Sequence, residues 1–242
     1  MESTLYDNPA ENTPDKTRVK YYSPLEERLN IGSHAVGFIL SILALVLLVV
    51  HASQYGNAWH IVSFSIFGAS LMVLYGASTI YHSTKDPVLR GYLRVLDHAS
   101  IYVLIAGTYT PFTLVTLNQP DGWNGHWTIG WTIFTVSWAL AVSGITLKLF
   151  FTGRFKKTST AMYVLMGWMI IFAIDPVMEK LPAEGLSWLV AGGIAYTVGA
   201  ILYGIKAIKL NHAIFHFFVL AGSICHFVSV YYYVLPLKAE TI

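Results

Sequence analysis

The sequence predicts an all-α polytopic membrane protein: a seven-transmembrane helix bundle with its N-terminus in the cytoplasm. Three observations predict it. Of 242 residues, 55% are hydrophobic and only 12% are charged, about half the charged share of a soluble globular domain. Seven separate stretches are apolar over roughly the 20 residues a helix needs to cross a bilayer. The cations fall unevenly between alternate loops. A soluble chain of this size could not hide so much apolar surface in one core, whereas lipid solvates outward faces directly. The net charge of +2 gives no basis for binding nucleic acid. A single cysteine, Cys225, excludes a disulfide within the chain.

Residues 1–25 hold Pro9, Pro14 and Pro24 among charges of both signs, and are expected to form a flexible cytoplasmic tail. No apolar run follows Met1, so a cleavable signal peptide is not expected. One membrane domain, 26–236, then carries helices at about 33–52, 60–82, 98–117, 128–150, 161–178, 187–205 and 212–235. Residues 237–242 form a short external tail. Orientation follows from the loop cations. Thirteen of the fifteen Lys and Arg precede helix 1 or flank the 2–3, 4–5 and 6–7 connections, leaving only Lys180 and Lys238 on the other side. The cation-rich side is therefore expected to be cytoplasmic. The opposite side carries Trp59, Trp123, Trp127, Trp188 and Tyr231 to Tyr233, amphipathic rings suited to the headgroup level.

Ionisable groups at membrane depth are costly and mark function by default. His51, His60 and His126 fall at outer helix ends. His34, His82, His98, His212 and His216 fall at inner ends. Ser78 and His82 are four apart on one face of helix 2, as are His212 and His216 on helix 7. Asp97 sits near the inner start of helix 3. One carboxylate, three imidazoles and a hydroxyl thus share one depth. Three histidines with an open fourth position form a catalytic zinc arrangement, in which Asp97 would orient or deprotonate a water and Ser78 would steady a developing oxyanion. Structural readings stand beside this one. Asp97 could cap helix 3, the paired histidines could touch headgroups, and Ser78 could bond back to its own helix.

Glu27, Asn30 and His34 share a face if helix 1 starts early, as a gate or second layer around the metal, or as a capped helix entry. Asp175-Pro176 reads as the end of helix 5, and Thr110-Pro111 as a kink in helix 3. His226 lies roughly 15 Å above His216 at 1.5 Å per residue, too far to share its metal, and reads with Cys225 as packing. Glycines 68, 76, 192, 193 and 199 could bring helices close within one chain or between copies in a homo-oligomer.

Several runs resemble the bacterial hemolysin III family. They are Tyr81-His82, Leu96-Asp97-His98, Leu104 to Pro111, Asn211 to His216, and Gly222 to Phe227, with Glu27-x-x-Asn30-x-x-x-His34 resembling its opening motif. The likeness runs from about residue 25 to 236. That family is similar to the progestin and adipoQ receptors, which include the adiponectin receptors. The resemblance implies zinc held by His82, His212 and His216, a water shared with Asp97, and Ser78 nearby. A wider relationship to alkaline ceramidases implies zinc-dependent hydrolysis of a lipid amide. Three functions remain open: such a hydrolase in membrane-lipid homeostasis, a receptor-like sensor of membrane lipids with structural zinc, and a hemolytic pore. Membrane lipids are the expected partners. The expected location is the cell membrane, the inner one in a Gram-negative source.

Overall fold

The computed structural model describes residues 21–118, 128–151 and 156–236. The cations Lys16, Arg18, Lys20, Arg154 and Lys238, the outer residues Trp123, His126 and Trp127, and most of both tails lie outside them. The described chain is helical: α1 (Pro24–Tyr55), α2 (Ala58–Ser83), α3 (Pro87–Pro111) continued by a π-helical turn (Phe112–Thr116), α4 (Ile129–Phe151), α5 (Lys156–Gly167), a 3₁₀ turn (Met169–Ala173), α6 (Ile174–Lys180), α7 (Ala183–Gly204), and α8 (Asn211–Ser229) ending in a second π-helical turn (Val230–Val234). Seven spans among these are long and apolar enough to cross a membrane, with α5, the 3₁₀ turn and α6 together making the fifth.

Local chemistry explains where the spans begin. Ser23 accepts a hydrogen bond from the Glu26 N–H and Pro24 occupies the first turn, so α1 starts well before the expected residue 33. Asn57 accepts from the Trp59 and His60 N–H groups while His60 Nδ1 accepts from the Asn57 N–H, a reciprocal cap for α2. Asp86 accepts from the Leu89 N–H at 2.7 Å and Pro87 opens α3. Helix 3 therefore starts at 87 rather than 98, and Asp97 is an interior residue of it. The reading of Asp97 as a cap is overturned, because Asp86 already fills that role.

α1 packs on α2 and α8, α3 on α2 and α4, and α7 on α8. α3 has the lowest mean hydropathy of the seven spans and is the most buried. The order is inverted relative to a soluble bundle because lipid accepts apolar side chains and polar ones must find partners inside. α1 presents Ile39, Leu43 and Val46 outward. Close approach answers the glycine question for two positions: a Cβ on Gly68 would lie 2.7 Å from Leu45, and one on Gly192 would lie 2.2 Å from the His226 ring. Both glycines serve contacts within the chain.

Pro111 lies at the end of α3. It removes an i−4 bond, and the ladder reforms at wider spacing, with the Leu117 N–H donating to Phe112 O at 2.8 Å. One expectation about proline needs revising: Asp175-Pro176 does not end the fifth span. Both lie in the first turn of α6, where a missing N–H costs nothing. The break lies upstream at Gly167–Ala173, and a side chain from α3 makes it: Tyr109 Oη donates to Gly167 O at 2.7 Å and accepts from the Ile170 N–H at 3.3 Å. A hydroxyl inserted into the ladder is a recognised cause of helix breaks.

Candidate metal centre

The last turn of α2 supplies His82, and the first two turns of α8 supply His212 and His216. Thr84 is extended, which stops α2 after Ser83. Leu210, left-handed at φ 58°, turns the chain directly into α8. The three rings then converge. His82 Nε2 and His212 Nε2 lie 3.1 Å apart, as do His212 Nε2 and His216 Nε2. All three residues are buried, and each offers a nitrogen within 4.8 Å of the others. The described residues contain no other such group of histidine, cysteine or carboxylate side chains.

The donor set fits a metal ion. Tetrahedral zinc with Zn–N of about 2.0–2.1 Å requires ligand nitrogens roughly 3.3 Å apart, close to the observed spacing. The far sides of two rings are held as metal-binding histidines require. His82 Nδ1 meets Glu27 Oε2 at 2.7 Å, and His216 Nδ1 meets the Asn30 carbonyl at 3.3 Å. Each pairing directs Nε2 toward the centre. The His212 ring stacks on Tyr22, centroids 4.6 Å apart, and its backbone N–H donates to Glu26 Oε1. Burial pushes the Tyr22 phenol well above its ordinary range, so this residue serves as a neutral aromatic wall.

Asn30 is buried one and a half turns into α1 rather than at its cap, which is Ser23. Its Nδ2 donates weakly to Glu27 Oε2. His34 stacks face to face on His216 at 3.6 Å and stands edge-on to Tyr75. Neither His34 ring nitrogen has a hydrogen-bond partner among the described residues. Ser78 is buried, and its hydroxyl also lacks a partner, so the expectation that it bonds back to its own helix does not hold. Thr79 and Ser83 do so on the same helix. Ser78 and Asp97 are not part of the three-nitrogen group. They line a cavity of about 470 Å³ that also borders His34, His212 and His216. Its walls are apolar, with Leu104, Phe112, Ile174 and Leu189, and it reaches His226, whose Nε2 meets Leu189 O at 3.1 Å.

Arg90 was missed as a site residue, being counted only as a loop cation. It is 2% exposed. Its guanidinium donates to Glu27 Oε1 and to the carbonyls of His82 and Thr84, and it packs over the rings of Tyr21 and Tyr81. One Glu27 oxygen thus faces Arg90 and the other faces His82. The signal was present in Asp86-Pro87, a helix-start pair that places Arg90 on the helix rather than before it.

Residues 22–227 match the model of a family described as Haemolysin-III related. The chain belongs to the Haemolysin-III-related family. It is 48% identical over 211 residues to Hemolysin-3 of Bacillus cereus, covering 87% of this chain and 93% of that protein. It is 46% identical over 208 residues to the Hemolysin-3 homolog of Bacillus subtilis, covering 86% and 94%. A more distant similarity, 27% over 115 residues, covers 39% of the chain and 35% of the ADIPOR-like receptor IZH2 of Saccharomyces cerevisiae. Family and spans together make this a multi-pass membrane protein, as the sequence predicted.

Proposed function

We propose that this Haemolysin-III-related protein is a zinc-dependent hydrolase of a lipid amide, acting in membrane-lipid homeostasis from the cell membrane with its metal centre toward the cytoplasm. The observation that carries the reading is the junction of the three-imidazole cluster with a large apolar cavity whose polar lining includes Asp97 and Ser78. Membrane lipid is the substrate source such a cavity suits. The acyl chain would lie along Leu104, Phe112 and Leu189, leaving the amide beside the histidines. Bound zinc would supply Lewis-acid polarisation of the carbonyl and acidify the attacking water.

The protein's own groups account for the rest. Asp97 would take a proton from the attacking water and return it to the departing amine. The unpartnered Ser78 hydroxyl would donate to the carbonyl oxygen as charge develops. His82, His212 and His216 would hold the metal, with Glu27 and Asn30 fixing two of the rings. Purified protein should cleave a ceramide-like or other acyl amide and lose turnover on Asp97→Ala while keeping its zinc. Absence of turnover across a broad panel of lipid amides, with zinc bound, would sink the reading.

One observation favours a second reading, a sensor with structural zinc. The cluster and its supports join α1, α2, α3 and α8, as a purely structural clamp would. On that reading Asp97→Asn complements a deletion strain fully while each histidine variant fails. A lytic role, carried in the relatives' name, would instead show as liposome leakage at low protein density.

A further inference from the structure

Polar traffic to and from the three imidazoles needs a route of its own. The cavity that meets them has apolar walls, which suit an acyl chain but not water, a metal ion or a departing amine. The histidines lie at helix ends, in the last turn of α2 and the first two turns of α8. Residues 21–23, which precede α1, cross that end of the bundle. Tyr21 Oη donates to Lys85 O in the α2–α3 connection. Tyr22 stacks on His212 and lies 5.7 Å from the His82 ring. Tyr22 also lines the cavity, whereas its neighbour Tyr21 is 56% exposed. The barrier between histidines and solvent is one residue thick here.

That barrier is held by contacts that open readily. Tyr21 and Tyr22 belong to no helix, so they can move without breaking a helical ladder, as segments of low local stability do. Ser23 is tied to α1 through its cap bonds from Glu26 and Glu27 and forms the hinge. The Tyr21 bond to Lys85 O is long, at 3.3 Å, and its ring lies 4.7 Å from the Arg90 guanidinium. The Tyr22 side chain hydrogen-bonds Tyr203. Each such contact shifts an opening equilibrium by about two- to tenfold. Glu27 and Asn30 lie within α1 and stay in place when the segment swings.

We infer that Tyr21-Tyr22 is a door, hinged at Ser23, that opens the three-histidine centre to the aqueous phase and admits metal, water and small polar products. The inference rests on reading the three imidazoles as a metal site. With the segment down, Tyr22 covers the faces of His212 and His82. With it lifted, those faces meet solvent. A door stands on the way in and on the way out. It therefore changes the rates of metal uptake and loss together and leaves the affinity unchanged. A residue that only supported His212 would change the affinity instead.

The test is the rate of zinc loss to excess chelator from full-length protein in detergent, beside the rate of zinc uptake by the metal-free protein. Tyr22→Ala should speed both by about tenfold or more, having lost the stack and the bond to Tyr203. Tyr22→Phe keeps the stack and should fall between wild type and Tyr22→Ala. Tyr21→Ala, at an exposed position outside the helices, should speed both by about two- to tenfold, and keeps the test open should Tyr22→Ala not fold. Zinc affinity at equilibrium should stay near that of wild type in every variant. Metal-free protein supplies a second readout: diethylpyrocarbonate should modify His212 faster in the alanine variants than in wild type, mapped by mass spectrometry. Wild-type exchange rates in the folded variants would overturn the inference and leave the metal site standing. So would faster loss with unchanged uptake, which marks Tyr22 as a support for His212. A wild type that binds no zinc would sink the metal reading. Faster His212 modification in the variants would then still show the door, and equal modification would overturn it as well.

Discussion

Replacing Glu27 by Gln should weaken metal binding without touching a metal ligand. The carboxylate divides its labour, with Oε2 on His82 Nδ1 at 2.7 Å and Oε1 on the Arg90 guanidinium. When His82 binds metal through Nε2, its Nδ1 carries the proton and needs an acceptor. Glutamine has one acceptor oxygen and one NH₂ group. If the oxygen serves His82, the NH₂ faces Arg90, donor against donor. If it serves Arg90, the imidazole loses its support. Loss of a partner of this kind typically costs 10–100-fold in metal affinity, or about 1.4–2.7 kcal/mol. The assay is competition against a chelator of known zinc affinity, with wild type, Glu27→Gln and Arg90→Met side by side. Arg90→Met should weaken zinc less than Glu27→Gln does, because it leaves the bond between Glu27 and His82 in place. A zinc affinity in Glu27→Gln within twofold of wild type, in folded protein, would refute the claim that this carboxylate orients His82.

Other outcomes follow from the same geometry. Elemental analysis of wild type should find near one zinc per chain, and His82→Ala, His212→Ala and His216→Ala should each lose it. Tyr109→Phe leaves the Gly167 carbonyl and the Ile170 N–H without their bridging hydroxyl. It should destabilise the fold by about 1–3 kcal/mol for a buried group left unpaired, read by unfolding in mixed detergent. Gly107→Ala would place a Cβ 2.3 Å from Ser70 Oγ. It should cost about 1–3 kcal/mol by overpacking, seen as a lower melting temperature. A reporter fused to the C-terminus should be active only when it functions outside the cytoplasm, and a cytoplasm-only reporter that works there would reverse the assigned orientation.

Much of this architecture was legible because the bilayer imposes simple rules. Seven apolar runs and a cation bias needed no knowledge of packing. Neither did the common depth of His82, His212 and His216, since it follows from which helix ends share a side. What escaped notice depended on partners distant in sequence. Arg90 and Arg28 look alike to a loop count, but only Arg90 meets Glu27, 63 residues away. The break after Gly167 is invisible in hydropathy because its cause is a hydroxyl on α3. The position of Asp97 within its helix was misjudged for a different reason. The apolar window excluded Arg90 and Arg94, so the helix seemed to begin where its charges ended.

The candidate metal centre is assembled from spans far apart in the chain. Glu27, Asn30 and His82 come from the first two spans, and His212 and His216 come from the last. During synthesis, which proceeds from the N-terminus, the first four spans can enter the membrane long before α8 exists. Until it arrives, His82 stands without the other two imidazoles of the cluster, and a chain cut anywhere before residue 211 lacks both. The packing of α8 against α1 is therefore the step that completes the three-imidazole cluster, and on the proposed reading metal content would report how far assembly has gone.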